Sequence, residues 1–207
     1  FVSSIKALGE ETSPGMAWLE SQTHAPMDSY GRSKAEAETA LTKVASRSNL
    51  ELVILRLPLV YGPGMKANMA RLFKAVQLGV PLPLGGIENS RSILYLGNLV
   101  HCLALCLEHP RAVGKVFHVA DSKPLSTPDL AALIASCTRK PSRLFRLPIP
   151  LLKAFSVLLG RSSDLDRLTG SLVLDCGRIR SELGWKPPFS VEEGLRETGR
   201  WFVGECR

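Results

Sequence analysis

Tyr30 and Lys34 stand four residues apart in "DSYGRSKAEAE", at the head of an alanine- and glutamate-rich run. On a helix, residues four apart share a face, so the two side chains can point the same way. A free tyrosine has a pKa of about 10, too high to exchange protons readily at neutral pH. A neighbouring ammonium favours the phenolate, which makes the tyrosine usable as a general acid or base. A short hydroxyl from another element would complete such a site by polarising the same oxygen. Ser3 and Ser4 close the opening apolar run, and ligands of parallel sheets bind beyond strand carboxyl ends. A bare Tyr-x-x-x-Lys is common on surface helices. The order of features around it is more specific.

The elements that would position these residues alternate. FVSSI reads as a buried strand, and a polar loop with little periodicity runs from Gly9 to Ser29. Gly31 to Ser48 reads as an amphipathic helix. Glu51 to Arg56 is a near-continuous apolar strand of the kind a parallel sheet buries on both faces. Pro58, Gly62, Pro63 and Gly64 then break the chain. A helix over Asn68–Leu78, a strand over Ser92–Leu96, a helix over Gly97–Glu108 and a strand over Lys115–Ala120 follow. Thr127 is read as a cap and Pro128 as the first position of the next helix. "SRLFRLP" reads as a further strand, and the remainder as helix, ending with Val191 to Phe202. This alternation predicts an α/β fold with a largely parallel sheet and a small, mostly helical lobe.

Composition narrows the function. The chain has 207 residues, 45% of them hydrophobic, and a net charge of +7. That surplus suits an anionic ligand. The basic residues are scattered without aromatic interleaving, which argues against nucleic acid as a partner. The five cysteines, Cys102, Cys106, Cys137, Cys176 and Cys206, show no Cys-x-x-Cys pair and no metal-ligand spacing, and they suit a reduced, cytoplasmic setting. The longest apolar run, Leu147 to Leu159, carries Lys153 and is too short for a membrane span of about 20 residues. The opening FVSS lies already inside an apolar run, so the chain is expected to be the C-terminal part of a longer one.

"FVSSIKALGE", "YGRSKAEAE", "LRLPLVYGPG", "RSILYLGNLV" and "LGWKPPFSVEEGL" follow one another in the order of the extended short-chain dehydrogenase/reductase family, the NAD-dependent epimerases and dehydratases. The resemblance covers nearly the whole chain. It implies the C-terminal part of a Rossmann-type doubly wound parallel sheet with a small helical substrate-binding lobe. Residues 1–66 would close the dinucleotide-binding domain, and 67–207 would form mainly the substrate lobe, interleaved with the last sheet strands. It also implies an NAD or NADP cofactor, a nucleotide-sugar substrate, a homodimer when full length, and hydride transfer at the sugar C4 in surface-polysaccharide synthesis. The glycine-rich phosphate loop of the family has no counterpart here, and Gly62–Pro63–Gly64 reads as a turn.

Position by position, the resemblance assigns Tyr30 as acid/base and Lys34 to the nicotinamide ribose. Ser4 becomes the catalytic hydroxyl, with Ser3 beside the cofactor. Pro58 and Leu59 fall where the chain passes nicotinamide and sugar, and Asn68 and Arg91 match contacts to the substrate diphosphate. Guanidinium geometry suits phosphate oxygens, whereas the plain reading of Asn68 is a helix cap. Ile5 and Lys6 stand where the family's dehydratases carry an Asp-Glu pair, which argues against sugar dehydration. Leu59 replaces an asparagine common in epimerases, and Asn98 stands where Asp is frequent. Epimerase and 4-keto-sugar reductase both fit. A steroid- or flavonoid-type ketoreductase and a non-catalytic cofactor-sensing relative are the alternatives.

Overall fold

The computed structural model describes residues 1–158 and 162–205, with side chains over 1–154 and 165–204. Cys206 and Leu159, the end of the long apolar run, lie outside the described residues. Three parallel strands form the main sheet: β1 (Val2–Ser4), β2 (Val53–Leu57) and a third, Lys115–His118, in the order β1, β2, third strand. Leu55 and Phe117, paired across that sheet, are buried on the same side.

The strand after β2 departs from expectation. Pro58 has no N–H to continue a ladder, and the chain turns there into β3 (Leu59–Tyr61). β3 pairs in parallel with β4 (Ile93–Tyr95) in a separate two-stranded ladder, and Lys115–His118 becomes β5. Ser92–Leu96 therefore does not extend the main sheet, although Lys115–Ala120 does.

The helices are α1 (Ser29–Ala45), α2 (Ala67–Gln77), α3 (Leu96–Glu108), α4 (Thr127–Cys137), α5 (Ile149–Leu158), α6 (Ser162–Thr169), α7 (Gly177–Leu183) and α8 (Val191–Glu205). The cap of α4 is Ser126, whose hydroxyl accepts from Asp129 N at 3.1 Å. Thr127 is instead buried, donating to Leu168 O at 2.7 Å. The expected strand at "SRLFRLP" is reduced to one bridge between Leu82 and Leu144. Prolines at 141 and 148 bracket it, and neither can donate to a ladder.

Two cores meet at β4. Leu94 joins Leu55, Phe117, Ile179 and Trp185 on the sheet side, while Ile93 and Tyr95 join Phe73, Ile134 and Leu195 on the other. Trp185 thus packs in the sheet-side core, and its Nε1 donates to His101 Nδ1 at 3.2 Å. Asp121 ties the two cores together. It accepts from Tyr61 Oη at 3.0 Å, Tyr95 N at 3.1 Å and Asn98 Nδ2 at 2.8 Å. Asn98 also accepts from Phe189 N at 2.9 Å. Burial raises the Asp121 carboxyl, and burial together with the Asp121 charge raises the Tyr61 phenol. An aspartate at 98 could not donate to Asp121 and would set two like charges together, which explains the amide. Among the described residues, no helix is long and apolar enough to cross a membrane.

His118 ends β5 fully buried, its Nδ1 3.1 Å from Trp18 O. Burial and the nearby Arg56 push its imidazole down to about 4, from an ordinary value of about 6.5. Between those values the unfolded chain binds the extra proton and the folded one does not. Stability therefore falls as pH drops through that window, by roughly 3 kcal/mol at most. Urea titrations at pH 7 and pH 4.5 are expected to show the loss in the parent protein, and a smaller one in His118→Asn.

Candidate active site

β1 divides its two serines by pleat: successive side chains leave a strand on opposite faces. Ser4 borders a cleft of about 460 Å³, and its hydroxyl accepts from Lys6 N at 3.3 Å as the cap of a 3-10 turn over Ile5–Ala7. Ser3 turns the other way and donates to the buried Glu38. Tyr30, Pro58, Leu59, Asn68 and Arg91 share the cleft wall with Ser4. Six of the eight residues singled out from the sequence therefore meet in one place. Ser3 and Lys34 stand outside that wall.

Tyr30 lies in the first turn of α1 and is half exposed. Lys34 Nζ lies 5.8 Å from the centre of its ring, 5.1 Å from that of Phe1, and donates to Val2 O at 3.0 Å. The start of α1 is fixed by Asp28, which accepts from Gly31 N at 2.6 Å. Asp28 also holds Lys6 Nζ at 2.5 Å, and Glu10 holds it at 2.7 Å. Lys6 thereby ties the turn after Ser4 to the turn that carries Tyr30. Gly31 is required at this contact, because a Cβ there would collide with the Lys6 carbonyl oxygen. Burial alone would lower the Lys6 ammonium, but its bonds to Asp28 and Glu10 raise it. The Lys6 bond, with that from Gly31 N, lowers Asp28.

Under α1 lies a second set of charges. Tyr30, Lys34 and Glu38 recur at four-residue spacing on one helix face. Glu38, buried, accepts from Arg56 Nη2 at 2.8 Å and from Arg56 Nε at 3.1 Å. Arg56 Nη1 donates to Glu20 O at 3.0 Å, and His24 Nε2 lies 2.8 Å from Glu38 Oε2. His24, an exposed loop residue, thus joins this network from the solvent side. Burial raises the Glu38 carboxyl, yet hydrogen bonds from Arg56 and Ser3 bring it below the usual carboxylate range. The seat of the tyrosine helix is an ion pair sealed between α1 and β2.

The far end of the cleft is cationic. Arg91 is held in place by paired backbone bonds with Leu125, and its Nη1 donates to Gly170 O at 2.8 Å. Burial lowers the Arg91 guanidinium. Arg167, on α6, lines the same cleft and was not singled out from the sequence. The cap of α2 is Lys66, without a side-chain bond, so Asn68 is not the cap but sits within the first turn. Ala67 there has a φ of 56°, in the left-handed region, a strain of about 1–2 kcal/mol at the cleft lip. Gly62 packs its bare Cα against the Leu96 side chain. That turn serves packing.

A strand-end hydroxyl of a parallel sheet and the tyrosine of a helix turn thus share one cleft with an arginine, the lysine of that turn standing just outside its wall. Residues 1–120 match the NAD dependent epimerase/dehydratase family, and the chain belongs to that family. It is 43% identical over 204 residues to the UDP-glucose 4-epimerase of Vibrio cholerae, which covers 98% of this chain and 62% of that protein. The crystal structure of UDP-glucuronic acid 4-epimerase from Bacillus cereus in complex with NAD superposes with a TM-score of 0.77 at 18% identity, covering 100% of this chain and 61% of that one. The UDP-glucose 4-epimerase of Thermus thermophilus in complex with NAD gives 0.75 at 22% identity, covering 99% and 63%. The chain therefore spans a little over three-fifths of the length of these relatives.

Proposed function

We propose that the full-length protein inverts or reduces C4 of a nucleotide-linked sugar with NAD or NADP, and that inversion is its main reaction. The observation that carries this reading is the shared cleft of Ser4, Tyr30 and Arg91. Similarity to the Vibrio cholerae UDP-glucose 4-epimerase supports inversion over reduction. Residues 1–66 then serve as the catalytic end of a dinucleotide-binding domain, and 67–207 mainly as the substrate side. The full-length protein would act as a homodimer in the cytoplasm, in surface-polysaccharide synthesis.

In this reading Ser4 donates to the sugar oxygen at C4 and holds it before Tyr30. Tyr30, as the phenolate, takes the hydroxyl proton when that carbon is oxidised and, as the phenol so formed, returns it on reduction. Lys34, its ammonium 5.8 Å from the centre of that ring, can hold a ribose hydroxyl. The nicotinamide, when bound, supplies the hydride acceptor and donor. The residues present fit its reactive end, since Tyr30 and Lys34 stand together on α1. Arg91, Arg167 and the amide groups at the start of α2 surround the place where a diphosphate would lie. Incubating full-length protein with UDP-glucose is expected to yield the C4 epimer without net consumption of cofactor. Stoichiometric NADPH oxidation with a 4-keto sugar, and no epimer, would show reduction instead.

The apolar wall of Leu59, Leu125 and Leu172 favours a second reading, an uncharged ketone as substrate. Arg91→Ala separates the two. A diphosphate substrate loses a charge-assisted bond, and KM is expected to rise about 10- to 100-fold with kcat changed far less. For an uncharged ketone KM would stay where it was.

A further inference from the structure

Between Asp129 and Asp164 the chain holds no acidic residue, yet it carries Arg139, Lys140, Arg143, Arg146, Lys153 and Arg161. The same stretch puts apolar side chains outward. Phe145 is 46% exposed, Ile149 38% and Leu151 49%, with the exposed Arg143, Arg146 and Lys153 set among them. Leu152 alone from the start of α5 is buried, as the anchor. The backbone beneath is tied down: Leu82 N donates to Arg143 O and Phe145 N to Leu82 O, and Arg143 Nη1 reaches Gly79 O at 3.3 Å. Leu78 and Val80, flanking Gly79, are exposed at 69% and 44% and widen the patch. None of these residues lines the cleft.

We infer that this face docks on an anionic phospholipid surface. Exposed apolar side chains interleaved with Lys and Arg, on a stretch of sequence without an acidic residue, are what an interfacial segment presents to acyl chains and headgroups at once. The charge pattern also decides against a second copy of the chain. A two-fold contact through this patch would bring cations against cations. α5 packs on α6, which carries Arg167 and Leu168 on the cleft wall. Docking would therefore hold the cleft one helix away from the lipid surface, whichever sugar it serves. The inference does not depend on the reaction.

The test is co-sedimentation of full-length protein with vesicles of phosphatidylglycerol and phosphatidylcholine, against phosphatidylcholine alone. Binding is expected only to the anionic vesicles. Neutralising Arg143, Arg146 and Lys153 together to Gln should weaken it about 100-fold, at roughly 1 kcal/mol per basic residue. Phe145→Ser with Ile149→Ser should also release it. Turnover on soluble substrate and the melting temperature report whether the variants fold. Should the triple variant melt early, the parent protein decides alone: release from about 0.05 to 0.5 M salt supports the inference. Failure to bind anionic vesicles, equal binding to neutral ones, or retention in high salt overturns it.

Discussion

Full-length protein carrying Tyr30→Phe is expected to keep its fold and lose turnover by a factor of about 100 to 10,000. The phenol is half exposed, and no hydrogen bond to its oxygen exists among the described residues, so deleting the hydroxyl leaves no buried partner stranded. Asp28 and Gly31 cap the helix independently of it. Unchanged melting with kcat reduced and KM nearly level would identify a group acting in the chemical step. Turnover within a factor of three of the parent would remove Tyr30 from the proton path, and with it the reading of the site. Lys34 stands close enough to the ring to matter, but it also bonds Val2 O and covers Phe1. A Lys34 variant would therefore mix chemistry with the packing of β1, and the tyrosine is the cleaner test.

Arg56→Met is expected to be the most damaging change outside the cleft, at about 3–5 kcal/mol of stability. The guanidinium offsets the burial of Glu38, and methionine would leave that carboxylate with only Ser3 and His24. The sign of the pH dependence follows. With its folded value depressed, Glu38 contributes stability above the ordinary carboxylate range and loses it as acid protonates the group. In Arg56→Met the unpaired carboxylate destabilises most at neutral pH. The gap between variant and parent is thus expected to narrow as pH falls, seen as converging urea midpoints. Adding Glu38→Leu to Arg56→Met should recover much of the loss, because an apolar pair no longer buries a lone charge. A double variant as unstable as the single would place the cost in packing rather than charge.

Much of the site was legible in sequence because its parts are local or sit at punctuated positions. Tyr30 and Lys34 share a helix face by spacing alone. Ser4 ends a strand and Pro58 breaks one, and both line the cleft. Arg91 precedes a short apolar strand, where its neighbours anchor it. The residues that were missed form ion pairs across long stretches of chain. Lys6 meets Asp28, Glu38 meets Arg56, and Arg167 reaches the cleft from a late helix. In a sequence each of these reads as an ordinary solvated charge. The packing of α1 on the sheet buries Glu38 and Arg56, while Lys6, Asp28 and Arg167 are brought to their places by contacts remote in the chain. Glu38 did leave a trace: it continues the Tyr30–Lys34 spacing by one more turn. The separate β3–β4 ladder was hidden for a different reason. Pro58 was read as a break, but local pattern says nothing of which strand the far side will join.

Ser3 and Ser4 give the opening strand a further meaning. Adjacent and chemically identical, they answer to unrelated demands: one closes a buried ion pair, the other meets whatever enters the cleft. The wall between the part of the protein that must never see solvent and the part that must is a single peptide bond thick. Substitutions tolerated at one position therefore carry no information about the other. A family comparison that scores the pair as one serine motif would blend a rule about folding with a rule about chemistry.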